Sequence, residues 1–320
     1  MFKKIKSLLL VTLLVGGSVV GCNKSTDSAK EDKVKVTLVL STGGVNDQSF
    51  NQSAWEGAKK AEEEYGVEVS YLESNSDSDY IQNIETAIDQ DSDLVVGVGF
   101  QMGDAIKEAA ESYPEQQFAI IDSTYDEIPE NVQPILFNEE QSGYTAGLVA
   151  SKMTKTGTVG FIGGVDIPSC SNFGVGFKKA IEEENKDHKV LVQYTNSFTD
   201  AAKGRVVAEQ MIKDGADILF MAAGGGNSGI LEVAKENNIK VIGVDMPNSY
   251  LSPEHVITSA LKNVGEGVKL TIKDFTEGNF VGGEAKVYDL SNGGVGFEKT
   301  NLLSDEIIEY VENKIKNMNN

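Results

Sequence analysis

From Val34 onward, short β-branched runs alternate with amphipathic stretches, the pattern of parallel strands joined by crossover helices. Residues 34–40 read as a first strand. A glycine turn, Gly43-Gly44-Val45-Asn46-Asp47, then leads into a helix over 49–65, with Trp55, Ala58 and Ala61 spaced along one face. Residues 67–72, 94–97 and 118–121 continue the strands, and 78–89 and 102–112 supply the helices between them.

The order then returns. Gly163-Gly164-Val165-Asp166 echoes Gly43-Gly44-Val45-Asn46 at an offset of 120, residues 217–220 echo 93–96 at 124, and 241–245 echo 118–122 at 123. Near-constant offsets over such a length predict two related βαβ domains. The fold class is therefore α/β, as two doubly wound parallel-sheet lobes side by side. In such sheets ligands bind beyond the carboxyl ends of the strands. A cleft between facing lobes is then lined by Asn46, Asp47 and Phe50 on one side and by Asp166, Phe173 and Gly224-Gly225-Gly226 on the other, joined by the strand-ending Asp122 and Asp245.

The segment before the first strand is an address. Lys3, Lys4 and Lys6 precede an uncharged run over 7–20 that ends at Gly21-Cys22, the arrangement of a cleaved export signal over 1–21. Val19-Val20-Gly21-Cys22 resembles a bacterial lipobox, which makes Cys22 the expected site of lipidation and residues 22–33 a polar tether. The protein is then expected on the outer face of the cell membrane, held by lipid. That leaves Cys170 as the remaining thiol and no intramolecular disulfide.

Charge narrows the partners. With 28 Lys+Arg against 49 Asp+Glu, a net charge of −21 disfavours nucleic acid and anionic membrane surfaces. Two histidines and two cysteines leave little for a metal centre or a catalytic triad, so no cofactor and no metal are expected. Cys170 has no histidine near in sequence, and His188 and His255 lie in polar loops. The run Gly224-Gly225-Gly226-Asn227-Ser228-Gly229 superficially suggests a phosphate loop but lacks the Gly-Lys-Ser/Thr ending. Gly293-Gly294-Val295-Gly296-Phe297 reads as a turn.

The stretch from Gly44 to Gly57, with Asp47-Gln48-Ser49-Phe50-Asn51 at its centre, is similar to the opening motif of the basic-membrane-protein family of substrate-binding lipoproteins. Gly163-Gly164-Val165-Asp166-Ile167-Pro168, Phe173, Val244-Asp245 and Thr258-Ser259-Ala260-Leu261-Lys262 extend the resemblance over nearly all of the chain from Val34. Asn46 stands where many relatives carry an acid. The resemblance implies a type I periplasmic-binding-protein fold and a monomeric receptor that delivers purine nucleosides to an ABC permease and its ATPase, not an enzyme. The expected lobes are 34–137 plus 264–282, and 138–263 plus 283–320.

For such a guest, Phe50 and Phe173 are the stacking surfaces, one from each lobe, with core packing as the alternative for each. Asp245 is expected to accept from ribose hydroxyls, with Lys262 donating beside it and partly offsetting its charge. Asp122 with Asn46 or Asp47 is expected to read the base edge, and Gly224 to let backbone approach the ligand. Helix capping is the alternative role for Asp47, Asp122 and Asp245, and a solvated surface position the alternative for Lys262. A sugar or signalling-molecule receptor, a sensor and a surface adhesin remain rival functions for the same fold.

Overall fold

The computed structural model describes residues 33–318. The predicted leader, Cys22 and all of the tether except Lys33 lie outside the described residues. In chain order the strands are β1 (Lys35–Leu40), β2 (Glu68–Glu73), β3 (Leu94–Val98), β4 (Gln117–Ile121), β5 (Val132–Phe137), β6 (Thr158–Gly163), β7 (Lys189–Tyr194), β8 (Ile218–Ala222), β9 (Lys240–Asp245), β10 (Val256–Lys262), β11 (Lys286–Tyr288) and β12 (Val295–Phe297). The helices are α1 (Phe50–Tyr65), α2 (Tyr80–Asp89), α3 (Gly103–Ser112), α4 (Glu139–Met153), α5 (Pro168–Glu184), α6 (Ala201–Lys213), α7 (Asn227–Glu236), α8 (Val264–Thr276) and α9 (Asp305–Met318).

They build two six-stranded sheets of matching order, β11-β5-β4-β3-β1-β2 and β12-β10-β9-β8-β6-β7. Central strands such as β3 and β8 are buried along their whole length because helices cover both faces, which is why their sequences are continuous apolar runs. The edge strands β2 and β7 mix polar and apolar residues and stay exposed or half-buried along their length.

The helix after the fifth strand of each lobe does not stay with that lobe. β5 belongs to the first sheet, yet α4 packs on α5 of the second; β10 belongs to the second sheet, yet α8 packs on α1 of the first. Both exchanged helices approach their partners backbone to backbone. A methyl on Gly57 would lie 2.0 Å from the Gly265 carbonyl oxygen, and one on Gly143 would lie 2.0 Å from that of Phe173. No side chain fits in either contact.

The chain therefore crosses between lobes at Asn138, at Asn263 and again between β11 and β12, and these segments are tied together. The Asn138 N–H donates to Tyr288 O at 2.8 Å and the Asn263 N–H to Gly294 O at 2.8 Å. The last crossing corrects the expected boundary at residue 283: β11 pairs parallel with β5, so the first lobe extends to Tyr288. The glycine run at 293–297 is a turn only in its first half, since Val295–Phe297 pair antiparallel with β10. Three residues, one of them glycine, carry too little alternation to announce a strand.

Candidate functional site

The carboxyl ends of β1, β3 and β4 face those of β6, β8 and β9 across a cavity. Asp47, Phe50, Asp122, Phe173, Gly224, Asp245 and Lys262 all line it. Asn46 does not: it is exposed and lines an adjoining groove at the mouth with Gln48, Thr199 and Asn227. Asp166 is exposed and off the cavity wall, because the chain turns outward there before α5 begins.

Each lobe's fourth strand runs into an aspartate with a left-handed backbone, φ 65° at Asp122 just after β4 and 64° at Asp245 closing β9. Asp and Asn tolerate this conformation better than most residues, and two such residues at corresponding positions mark a functional edge. Neither caps a helix. Asp47 does: its carboxylate accepts from the backbone N–H groups of Ser49, Asn51 and Gln52 at 2.9–3.1 Å, which fixes the start of α1 and hence the Phe50 ring at the cavity wall. Burial raises the Asp47 carboxyl above its ordinary range, and those N–H bonds pull it back.

Asp245 accepts a short hydrogen bond from the Ser49 hydroxyl of the opposite lobe. Nearby, the Asn248 side-chain amide reaches Gln48 O at 3.5 Å, so the lobes touch across the mouth. Burial lifts the Asp245 carboxyl to about 6, against the opposing pull of Lys262 and Ser49.

Lys262 is buried, which excludes the solvated surface alternative. Its Nζ does not bond Asp245; it lies 2.6 Å from Asp122 Oδ2 and 2.8 Å from Glu139 Oε1, with a side chain only 2% exposed. Geometry decides the pairing: Lys262 ends β10 just before one crossing, and Glu139 opens α4 just after another. Burial alone would lower the ammonium, but Asp122, Glu139 and Asp245 outweigh it and hold it above its usual range. The rings of Phe50 and Phe137 lie 5.5 and 5.3 Å from Nζ. Asp122 keeps one oxygen, Oδ1, buried and without a hydrogen-bond partner in the protein. Burial raises its carboxyl too, with Lys262 opposing.

Phe173 is 2% exposed and stacks edge-to-face on Phe220 at 6.0 Å, so it is both core and cavity wall. Phe50 is half-buried. The sequence reading missed Phe100 and Phe198, which also line the cavity, along with Glu139 behind it. The signal for both rings was their position just beyond β3 and β7. Gly224 has φ +56°, and a methyl there would lie 2.7 Å from Phe198 O. Both histidines lie away from the cavity wall, and the Cys170 thiol, which lines it, is pushed up to about 11 by burial.

Residues 33–320 match the family model of PnrA-like ABC transporter substrate-binding proteins. The chain belongs to this family. It is 36% identical to basic membrane protein A of Borreliella burgdorferi, over 96% of this chain and 91% of the relative. It is also 36% identical to the ABC transporter nucleoside-binding protein BmpA of Lactococcus lactis, over 95% and 94%. Among solved structures, an ABC transporter solute-binding protein from Aeropyrum pernix superimposes with a TM-score of 0.78 at 30% identity, over 89% of this chain and 80% of that one. The PnrA-like family comprises substrate-binding proteins of ABC transporters rather than enzymes, and the two-lobed α/β architecture is of the periplasmic-binding-protein type.

Proposed function

We propose that this PnrA-like protein is the lipid-anchored receptor of an importer for purine nucleosides, held outside the cell membrane through Cys22 and acting as a monomer. The observation that carries the reading is the composition of one cavity wall. Aromatic rings from both lobes stand beside two buried carboxylates, one of which has an unpartnered oxygen. An aromatic base needs the first and a vicinal diol or ring N–H the second. Phe50 stacks on the base, with Phe173 on the second-lobe wall; such stacking is worth roughly 1–3 kcal/mol per base. Asp245 accepts from the ribose hydroxyls, and Asp122 Oδ1 from a donor on the base edge. Lys262 orients Asp122. Closure follows because a guest touching both lobes binds the closed form better than the open one.

The nucleoside-binding relative supports this choice over a sugar. The test is mass spectrometry of small molecules released by denaturing the purified soluble form. Purine nucleosides are expected in the released fraction; a pentose or hexose in their place refutes the assignment.

A further inference from the structure

One ammonium serves the whole cavity. Among the described residues, Lys262 is the cavity's single basic lining side chain, against Asp47, Asp122 and Asp245 on the same wall. Its Nζ is already bonded to Asp122, and to Glu139 from behind the wall. Glu139 is itself only 6% exposed at the side chain, so its charge is poorly screened. Four carboxylates thus stand against one cation.

The glycine run beside the cavity does not compensate. The Gly225 N–H donates to Phe198 O at 2.8 Å and the Gly226 N–H to Ala223 O at 3.0 Å. The Ala223 N–H donates to Asn227 Oδ1 at 2.8 Å. These three backbone N–H groups are spent within the loop and are not offered to a phosphate.

We infer that the cleft rejects phosphorylated forms of its guest by charge, and that Glu139 is a specificity-determining residue which acts through Lys262. Without Glu139 the Lys262–Asp122 pair would be neutral. With it, the ammonium is over-neutralised, and a phosphate entering the cleft meets excess negative charge in a low-dielectric site. A nucleoside 5′-monophosphate is excluded although its base and ribose match those of the neutral nucleoside. This inference rests on the nucleoside reading of the site.

The experiment is calorimetric titration of the soluble form, at fixed pH and ionic strength, with inosine, inosine 5′-monophosphate and 5′-O-acetylinosine, a neutral ester that adds bulk without charge. The wild type is expected to bind the ester at least tenfold more tightly than the monophosphate. In Glu139→Gln the nucleoside-to-monophosphate affinity ratio should fall at least tenfold, and Glu139→Asp should restore it. A merely structural Glu139 would weaken all three ligands together. Ester and monophosphate rejected alike in the wild type means exclusion by size and overturns the inference, whether or not the Gln variant folds. Equal binding of inosine and its monophosphate also overturns it while leaving the nucleoside reading standing. Absence of binding by any purine nucleoside sinks that reading first.

Discussion

Replacing Asp245 with asparagine should make the ligand-free protein more stable while damaging its binding. The carboxyl sits at about 6 in the folded chain, against 3.8 for an unburied aspartate. A carboxyl raised by folding contributes most to stability below its unfolded value, and that contribution is lost as pH rises through the folded one. Above pH 6 the ionised group therefore costs about 2 units × 1.36, or roughly 3 kcal/mol. Asparagine keeps the shape of the protonated acid and can still accept from the Ser49 hydroxyl. The gain should thus approach that cost at pH 7.5 and vanish near pH 4. Urea denaturation of the ligand-free soluble form at both pH values measures it. The same variant should bind purine nucleosides at least tenfold more weakly, since hydroxyl donors lose a charged acceptor. A variant that is less stable than wild type at pH 7.5, or whose gain is the same at pH 4, would refute the electrostatic account of this residue.

Lys262→Met should act in the opposite sense, leaving Asp122 and Glu139 buried without their cation at a cost of about 3–5 kcal/mol at neutral pH. That loss should shrink in acid as the Asp122 carboxyl, already raised by burial, protonates, which denaturation at pH 5 and pH 8 reads directly. Gly143→Ala should destabilise by about 1–3 kcal/mol or more, because a methyl 2.0 Å from Phe173 O forces α4 off α5; thermal unfolding checks it, and an unchanged midpoint would disprove the close contact. Phe50→Ala should weaken nucleoside binding by roughly 1–3 kcal/mol while leaving the unfolding midpoint near that of wild type; calorimetry paired with thermal unfolding separates the two effects.

The sheets were legible because their signal is local. β-branched runs over 94–97 and 118–121, and their echoes in the second half, identify parallel strands from composition alone, and the constant offset supplies the second lobe. Strand-end positions led in the same way to Asp122 and Asp245, and the turn after the first strand to Phe50. What escaped is what depends on pairing at long range. Nothing local in the sequence shows that α4, buried on every side over residues 142–150, and α8 each pack on the lobe opposite to the preceding strand. Lys262 announces a buried cation only once its partners are known, and Asp122 lies 140 residues away from it in sequence. Glu139 carries no distinguishing signal in the sequence, because an acid in the first turn of a helix is one the helix dipole already favours. Asn46 was misplaced because a turn residue next to a capping aspartate can face either the cavity or its rim, and here it faces the rim.

The central claim is that the interlobe cavity holds a purine nucleoside, and calorimetric titration of stripped, refolded soluble protein with inosine and guanosine tests it most directly. Saturable binding of one nucleoside per chain, weakened at least tenfold by Asp245→Asn, is the predicted result. No heat with either nucleoside, alongside saturable binding of a free pentose or hexose, would contradict it.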